Sequence, residues 1–356
     1  MTPALAVVEE LKKRKDIKIF FIGKKYNSDT DHSLTLEYKE ITSRGIPFFH
    51  LTTGRLTRLF SSRIFFEILK VPMGMLHAWR LVKEIRPDKI LSFGGYLALP
   101  VALCGFLQNI TIYTHEQTIS PGIANRIIGL FANKIFLTFP ESKKNWNNKK
   151  VSVIGNPIRQ QIFQHQSIDW LPKDKRKIIY ITGGSLGAHS INLHIGEIIN
   201  QLTKKYTIIH QTGDTKEYDD YTKMNMLRLK LPQVQQRRYI IRKHIGSSEI
   251  GSVYWYSKLV VSRAGANTVS EIIALKKPAI LIPLPWSAGQ EQLKHAQYLR
   301  NKKVIEIFDQ KEQSLRLLVL IEKVINSLQS YQDNYLEFNS YFYKNAAQTL
   351  ANSLFT

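Results

Sequence analysis

The sequence contains little cysteine, few acidic residues and no long apolar runs. Its single cysteine, Cys104, excludes an intrachain disulfide, which is typical of a reducing compartment. No apolar stretch reaches the ~18–20 residues that a membrane-spanning helix needs. Glu9 and Glu10 interrupt the first apolar stretch, so the start does not resemble a signal peptide. These absences indicate a cytoplasmic chain that is soluble or peripheral to a membrane.

Basic residues outnumber acidic ones, 50 to 28, and give the chain a formal net charge of +22. Such a field attracts nucleic acid, phosphate-rich substrates or an anionic membrane surface. The basic residues are spread along the chain without a recognition motif, so no nucleic-acid partner is expected. A salt-sensitive shift of nucleic acid in a gel would distinguish a nucleic-acid-binding protein from the other two possibilities. The length of 356 residues with 44% hydrophobic residues suits two domains, each with its own core.

Short apolar segments alternate with amphipathic helical ones, which predicts an α/β fold of parallel sheets covered by helices. The predicted strands cover residues 17–22, 89–92, 111–114, 135–138, 178–182, 207–210, 259–262 and 279–282. The predicted helices include residues 4–14, 188–202 and 267–275. A polar, strand-poor segment at 156–176 indicates a domain boundary. We expect domains at 1–157 and 158–330, with a C-terminal helix in 331–356 that packs back on the first.

The chain opens with a helix, because Thr2 and Pro3 are typical of an N-cap and a first turn. A doubly wound domain normally opens with a strand, and a phosphate-binding turn follows that strand. The sequence as given lacks this strand and turn, which are expected immediately before Thr2.

A glycine-rich turn follows the predicted strand at 178–182 and leads into a helix. Gly183, Gly184 and Gly187 allow backbone amides to approach an anion, and the helix N-terminus adds a favourable dipole. Ser185 can donate a hydroxyl hydrogen bond to the same phosphate. The alternative is a tight turn that binds no ligand.

Three acidic or amide side chains near two further helix starts are candidates for sugar recognition. Glu271 can accept hydrogen bonds from the vicinal hydroxyls of a ribose, although an acid early in a helix also complements the helix dipole. Glu291 and Gln292 follow the loop at 283–290 and can bind sugar hydroxyls. Polar residues are common in the first turn of any helix.

Polar residues also follow the predicted strand at 111–114. His115, Glu116 and Gln117 lie where α/β proteins place their ligands, so His115 and Glu116 are candidate general bases. A turn histidine without a catalytic role is the alternative. Arg159 lies just past the domain boundary, where it can reach a diphosphate or a base, or serve as an ordinary surface arginine.

Several of these segments together resemble one family over nearly the whole chain. The segments are GGY at 94–96, HEQ with PG and NR at 115–126, GNPIR at 155–159, GGSLGA at 183–188 and SRAGANTVSE at 262–271. In order and spacing they resemble the MurG family of N-acetylglucosaminyltransferases. The resemblance implies a GT-B fold, with two Rossmann-like domains facing across a cleft. It also implies inverting transfer of N-acetylglucosamine (GlcNAc) from UDP-GlcNAc to lipid I, a polyprenyl-linked muramyl pentapeptide, to give the peptidoglycan precursor lipid II.

The resemblance also assigns roles to individual residues. The implied donor-binding residues are Arg159, Gly183, Gly184, Ser185, Gly187, Glu271, Glu291 and Gln292. The implied acceptor-binding residues are Gly94, Gly95, Tyr96, Gln117, Thr118 and Asn125. His115 and Glu116 remain the candidate catalytic bases. The implied place of action is the cytoplasmic face of the bacterial cell membrane.

Three departures from the family pattern stand out, one of which is the segment KKYNSDTDH at 24–32, in place of a more regular family stretch. The family's glycine-rich loop, with a histidine proposed as catalytic base, is expected just before Thr2. Its absence there indicates either a start codon assigned too late, which is the favoured interpretation, or a truncated and inactive chain. Thr118 stands where the family usually has asparagine. The triplet Asp29-Thr30-Asp31 lies in a polar stretch, so a metal site is disfavoured there and no cofactor is expected.

Residues 55–85 combine basic and aromatic side chains in a helical pattern. This pattern favours an anionic membrane surface as a partner, and an ordinary core-facing helix with a solvated basic side is the alternative. Two related functions remain open: a GT-B enzyme with another lipid acceptor, and a degenerate homologue that binds UDP-GlcNAc without turnover.

Overall fold

The computed structural model describes residues 2–26, 33–54, 63–171, 175–184, 187–215, 217–337 and 340–355. The chain divides into two compact units. Unit 1 comprises residues 1–157 together with 345–356, and unit 2 comprises residues 158–344. The C-terminal segment therefore belongs to the same unit as the N-terminus. No helix in the described ranges is long and apolar enough to cross a bilayer.

The strands in the described residues are short and lie in parallel sheets. They are β1 (Phe21–Gly23), β2 (Phe48–His50), β3 (Lys89–Ser92), β4 (Thr111–Glu116), β5 (Lys134–Leu137), β6 (Val151–Val153), β7 (Ile178–Thr182), β8 (Thr207–Gln211), β9 (Tyr239–Arg242), β10 (Ser257–Ser262), β11 (Ala279–Leu281) and β12 (Ile305–Ile307).

Helices connect most of these strands. They are α1 (Thr2–Leu11), α2 (Leu36–Thr42), α3 (Arg63–Ile85), α4 (Ala98–Leu107), α5 (Ile123–Phe131), α6 (His189–Lys205), α7 (Asp220–Leu229), α8 (Gln233–Gln236), α9 (Ser247–Tyr256), α10 (Ala266–Ala274), α11 (Glu291–Asn301), α12 (Ser314–Asn326), α13 (Leu328–Asn334) and α14 (Ser340–Ser353). Short 3-10 helices lie at Pro140–Asn145, Asn148–Lys150, Gln160–Phe163, Ala288–Gln290 and Tyr335–Glu337.

Unit 1 contains a four-stranded parallel sheet in the order β3-β4-β5-β6 and a separate parallel pair, β1-β2. Its core includes apolar residues of the first and last helices. Val7 of α1 and Leu350 of α14 pack in one cluster with Tyr113 of β4 and Phe136 of β5. This shared cluster explains why the C-terminal segment belongs to unit 1.

Unit 2 is built on a six-stranded parallel sheet in the order β12-β11-β10-β7-β8-β9. The chain runs outward from β7 through β8 to β9, and then crosses to the other side of β7 to form β10. The connections that leave β7 and β10 therefore diverge, and such a switch point opens a crevice at the carboxyl ends of the strands. The register places Thr182 beside Ser262 at this edge, so the two loops that follow are neighbours.

The structure confirms the predicted helix at the chain start, the strands at 89–92 and 178–182, and the α/β class. The strand predicted at 17–22 is wrong in extent, because only Phe21–Gly23 pairs with a neighbour, β2. Strand β4 continues two residues beyond the prediction, so His115 and Glu116 end the strand rather than follow it. Strands β2, β9 and β12 were not predicted.

Candidate functional site

The glycine-rich turn lies at the switch point of unit 2, between β7 and α6. Gly184 has φ +87° and Gly187 has φ +83°, a region that favours glycine. A Cβ atom on Gly187 would lie 2.1 Å from the carbonyl oxygen of Thr212 in the next loop, so a side chain has no room there. The turn therefore packs its backbone against the loop after β8, and it lies at the start of a helix, where anions commonly bind. Ser185 lies outside the described residues.

Gln211, the last residue of β8, holds this turn in place. Its Nε2 donates to the carbonyl oxygen of Gly184 over 2.9 Å, and its Oε1 accepts from the backbone N–H of Ile245 over 3.1 Å. The hydroxyl of Tyr180 also donates to Oε1 over 3.3 Å. The sequence analysis missed Gln211, because a glutamine at the end of a buried strand gives no spacing signal.

A series of buried, hydrogen-bonded side chains also supports this turn. Asn192 of α6 donates to the carbonyl oxygen of Thr212, against which Gly187 packs, and to Asp220 over 2.7 Å. The Oδ1 of Asn192 contacts Nε2 of His210 at 2.9 Å, and Nδ1 of His210 contacts the Tyr239 hydroxyl at 2.8 Å. Burial lowers the pKa of His210 to about 3. The ring is therefore neutral, with its proton on Nε2 facing the amide oxygen.

Glu271 lies on α10, one turn beyond the loop that follows β10, and its side chain is 7% exposed. The Oε2 atom accepts a hydrogen bond of 2.9 Å from the buried Tyr254 hydroxyl. The Oε1 atom lies 3.3 Å from Nη2 of Arg159. Burial, followed by the negative charge of Glu271, raises the pKa of Tyr254 well above its usual value, which keeps the hydroxyl protonated as a donor. Each carboxylate oxygen still has capacity for a further hydrogen bond.

Gln292 lies in the first turn of α11, and the loop before it fixes its side chain. The Oε1 atom accepts from the backbone N–H of Leu284 over 3.0 Å, and the Gln292 backbone N–H donates to Oγ of Ser287 over 3.3 Å. The Nε2 donors of Gln292 have no partner within the described ranges and remain for a ligand. Glu291 beside it is half-buried.

His295 connects α11 to the loop after β10. Its ring is fully buried, with Nδ1 3.1 Å from the carbonyl oxygen of Ala264. Burial lowers the pKa of His295 to about 4, so the ring is neutral. The helix that carries Gln292 and the loop that precedes α10 are thereby held together.

In unit 1, Glu116 organises the loop that was assigned to the acceptor. Its carboxylate accepts from the backbone N–H and the hydroxyl of Thr118, over 2.9 and 2.8 Å, and from the backbone N–H of Gly122 over 3.1 Å. A fourth hydrogen bond of 2.9 Å comes from Nδ2 of Asn125. The hydroxyl of Thr118 therefore forms its hydrogen bonds within the loop itself. Glu116 is 4% exposed and all its contacts are local.

His115 is fully buried beside this loop, with Nε2 3.1 Å from the carbonyl oxygen of Gly155. Burial lowers its pKa to about 4. The expectation that His115 or Glu116 is the general base stays a prediction, and the geometry of both side chains weighs against it. A base has to reach a substrate proton, whereas the ring of His115 is enclosed and the carboxylate of Glu116 is occupied by four internal donors.

Asn125 and Gly94 connect the two predicted acceptor segments. Asn125 is 4% exposed, accepts from the Thr114 hydroxyl over 2.9 Å, and leaves no room for a Cβ atom on Gly94, which would lie 2.8 Å from its Nδ2. Asn125 therefore connects the two segments internally, and its predicted role in acceptor binding stays a prediction. Gly95 is exposed, and Tyr96 and Gln117 are half-buried, so these three are accessible.

Two predictions concern residues that the structure does not describe. The triplet Asp29-Thr30-Asp31 lies outside the described residues, as do residues 55–62 of the basic aromatic segment. Across the described part of the chain, no group of three His, Cys, Asp or Glu residues is placed to hold a metal ion.

Comparisons with known proteins match both units. Residues 1–137 match the glycosyltransferase family 28 N-terminal domain, and residues 178–350 match the glycosyltransferase family 28 C-terminal domain. The crystal structure of Acinetobacter baumannii MurG superposes with a TM-score of 0.73 at 23% identity, covering 99% of this chain and 94% of that one. A UDP-GlcNAc 2-epimerase from Neisseria meningitidis superposes with a TM-score of 0.66 at 14% identity, over 99% of this chain and 96% of that one.

These matches define the class of the protein as a two-domain GT-B glycosyltransferase. The curated relatives narrow the class further. UDP-N-acetylglucosamine--N-acetylmuramyl-(pentapeptide) pyrophosphoryl-undecaprenol N-acetylglucosamine transferase of Clostridium perfringens is 32% identical over 341 residues, 94% of this chain and 88% of the relative. The Clostridium botulinum enzyme of the same name is 31% identical over 91% of this chain and 86% of the relative. The chain belongs to the MurG family.

Proposed function

We propose that this protein is an inverting glycosyltransferase that moves GlcNAc from UDP-GlcNAc to lipid I, giving lipid II in peptidoglycan synthesis. The names of its relatives at 31–32% identity state this donor and this acceptor. The observation in the chain itself that carries the proposal is the environment of Glu271. A buried carboxylate held by Arg159 and Tyr254 at a switch point is built to accept hydrogen bonds from a ligand diol.

The donor would occupy the switch point of unit 2. Glu271 would accept hydrogen bonds from the two ribose hydroxyls of the nucleotide. The turn at Gly183, Gly184 and Gly187, with the dipole of α6, would bind the diphosphate, as would the hydroxyl of Ser185. The N–H groups of Gly184 and Gly187 themselves donate within the turn, to Oγ1 of Thr182 and to the carbonyl oxygen of Gly184. Gln292 would donate from Nε2 to the GlcNAc hydroxyls, because its Oε1 already has a backbone partner, and Glu291 would accept from them.

The acceptor would bind in unit 1 through the loops at 94–96 and 115–126. The accessible groups there are Gly95, Tyr96 and Gln117, which we propose face the acceptor. We assign positioning roles to Glu116 and Asn125, because their polar atoms hold the loop that carries Gln117.

Inversion requires one in-line displacement at the anomeric carbon. The acceptor hydroxyl loses its proton to a base as it attacks, the bond to the diphosphate breaks, and UDP leaves with the additional negative charge. Positive potential at the turn and at the start of α6 stabilises that charge during bond breaking. No step requires a metal ion in this scheme.

The proposed partner of unit 1 is an anionic membrane surface, on the cytoplasmic face of the bacterial cell membrane. Helix α5 carries an exposed apolar row, with Ile123 62%, Ile127 39% and Leu130 79% exposed at helical spacing. Lys143 and Lys144 are exposed on the 3-10 helix that follows β5. An apolar row beside basic side chains suits the interface of a membrane rich in anionic lipid.

Exposed apolar residues on neighbouring helices of unit 1 enlarge this surface. Helix α3 exposes Met73 and Leu76, at 71% and 63%, and Leu107 at the end of α4 is 58% exposed. Patches of this kind on a protein surface mark interaction sites. Helix α4 contacts both α3 and α5, and we propose that the exposed apolar residues of these three helices share in the membrane contact.

Vesicle flotation tests the membrane proposal. Wild-type protein is expected to float with phosphatidylglycerol vesicles at low salt and to be released at high salt or with phosphatidylcholine alone. The variant Ile123→Ser/Leu130→Ser is expected to reduce binding about tenfold or more, because apolar contacts drive insertion. Leu229→Ser on α7, 67% exposed in unit 2, is the control and should bind as wild type. Equal binding by both variants would contradict the proposal.

A nucleotide that lacks a ribose hydroxyl tests the proposed donor site in unit 2. Glu271→Gln is expected to weaken binding of UDP-GlcNAc about tenfold or more, since a carboxylate acceptor is replaced by a weaker one. The same variant should discriminate less against the 2′-deoxy analogue. Unchanged discrimination would place the ribose elsewhere.

A further inference from the structure

Two arginines flank the switch point of unit 2, and they differ in how their charges are used. Arg159 is paired with the Glu271 carboxylate at 3.3 Å. Arg263, the first residue after β10, has no acidic partner among the described residues, and its polar contacts are neutral. Its Nη1 donates to the carbonyl oxygen of Ile282 over 3.1 Å, and its Nη2 donates to Oγ of Ser190 over 2.7 Å.

The contacts of Arg263 hold the guanidinium at the start of α6. Ser190 is the second residue of that helix, and its hydroxyl also donates to Oε1 of Gln310 over 2.9 Å. Ser262, immediately before Arg263, is in register with Thr182, immediately before Gly183. The arginine is thus fixed beside the glycine-rich turn by contacts to two separate segments of unit 2, at Ser190 and at Ile282.

This placement is electrostatically unfavourable without an anion. A helix N-terminus carries a partial positive charge from its free amides. A half-buried guanidinium beside it adds a full charge, and burial alone lowers the pKa of Arg263 to about 10, with no acidic group opposing the change. Charges removed from water are ordinarily paired. The missing counter-charge indicates that a ligand supplies it.

We infer that Arg263 is the diphosphate-binding cation of this enzyme and that Arg159 instead orients Glu271 toward the ribose. The inference rests on the proposed function, because it presumes a nucleoside diphosphate at the switch point. Two neutral contacts use two of the five guanidinium N–H groups, so three remain for phosphate oxygens. The charge would also stabilise the UDP leaving group as the bond to the sugar breaks.

Titrations of the full chain with UDP and with uridine test this inference. Wild-type protein should bind UDP more tightly than uridine, and Arg263→Gln should weaken UDP binding about 10- to 100-fold while uridine binding changes less than twofold. A residue that only supports the fold would change both affinities alike. Arg237→Gln, an exposed arginine of unit 2, removes the same charge and should leave both affinities unchanged.

The conservative variant gives a second measurement. Arg263→Lys keeps the charge but loses the fork of donors, so UDP affinity should fall by a factor between those of wild type and Arg263→Gln, with uridine binding preserved. If Arg263→Gln does not give folded protein, Arg263→Lys decides the question by the same comparison.

An equal loss for UDP and uridine, or no loss for UDP, would overturn the assignment of Arg263 while leaving the proposed function intact. Wild-type protein that binds neither ligand would contradict the proposed function itself. If Arg263→Gln bound UDP like wild type, and Arg159→Gln lost affinity for UDP but not for uridine, the roles of the two arginines would be exchanged.

Discussion

The guanidinium of Arg159 lies 3.3 Å from the carboxylate of Glu271, which connects the start of unit 2 to the helix after β10. The second carboxylate oxygen accepts from Tyr254, so both oxygens are oriented before any ligand arrives. Such preorganisation lowers the entropic cost of binding a diol. The orientation of Glu271 therefore depends on two side chains from separate parts of unit 2.

Removal of one of these supports should weaken donor binding. Tyr254→Phe is expected to lower UDP affinity about three- to tenfold and to reduce the free energy of unfolding by about 1–3 kcal/mol, because a buried carboxylate loses a donor. Calorimetric titration and urea denaturation measure the two effects. Tyr256→Phe, 43% exposed on the same helix, is the control. UDP binding equal to wild type in Tyr254→Phe would show that the hydroxyl does not orient Glu271.

Two glycines of the turn form a matched pair. Both have positive φ, but an added Cβ meets nothing within 4 Å at Gly184 and a carbonyl oxygen at 2.1 Å at Gly187. Gly184→Ala should cost only the backbone strain of about 1–2 kcal/mol. Gly187→Ala should in addition displace the turn and lose UDP binding by a larger factor. Thermal unfolding and UDP titration of both variants check this order, and the reverse order would contradict the described packing.

Substitution of Glu116 should destabilise the proposed acceptor loop of unit 1. Glu116→Gln replaces an acceptor of four hydrogen bonds by a group that can accept at only one oxygen. We expect a loss of about 2–4 kcal/mol in the free energy of unfolding. Glu141→Gln, exposed in the same unit, should change it little. If Glu116→Gln instead unfolds like wild type and abolishes only the pH dependence of kcat, Glu116 is the base after all.

Stability should fall on acidification because of buried histidines. Burial lowers the pKa of His210 to about 3 and that of His115 and His295 to about 4. Below pH ~6.5 the unfolded chain takes up protons that the folded chain refuses, so stability is lost as the pH falls toward these values. Each histidine contributes up to about 1.4 kcal/mol per pH unit in that window.

The variant His210→Gln should reduce this pH dependence. Urea denaturation between about pH 6 and pH 4 should show a slope smaller by about one proton than in wild type. An unchanged slope would mean that His210 is protonated in the folded state. His165 stacks on the exposed Trp255, and it serves as the control position.

Sequence patterns predicted the class of fold, and the physical reason is visible in unit 2. Strand β7 is fully buried and its sequence IIYIT is almost entirely apolar, which is typical of a parallel sheet covered on both faces. The strand order was not predictable in this way, because the crossover from β9 to β10 depends on tertiary packing. The pairing partner of the strand predicted at 17–22 could not be predicted either, because hydrophobic periodicity indicates which residues are buried and not which strands pair.

For the candidate site, sequence patterns identified the positions that carry a spacing signal. Glu271 and the glycines of the turn belong to this group. They did not identify Gln211, Tyr254 or the contacts of Arg263, because these residues act through contacts between distant segments. His115 and Glu116 are candidate bases because of their place at a strand exit, and this role stays a prediction. Burial of both residues and the four internal hydrogen bonds of Glu116 support the positioning role that we propose for Glu116.

The most direct test of the proposed activity is transfer of labelled GlcNAc from UDP-GlcNAc to a lipid I analogue by the full chain. We expect a product that carries one β-linked GlcNAc, formed by wild-type protein and reduced at least tenfold in Glu271→Gln, with Arg237→Gln as the active control. Protein that binds UDP-GlcNAc but transfers GlcNAc to another lipid acceptor, or to none, would contradict the proposed acceptor. Equal transfer by wild type and Glu271→Gln would contradict the proposed donor site.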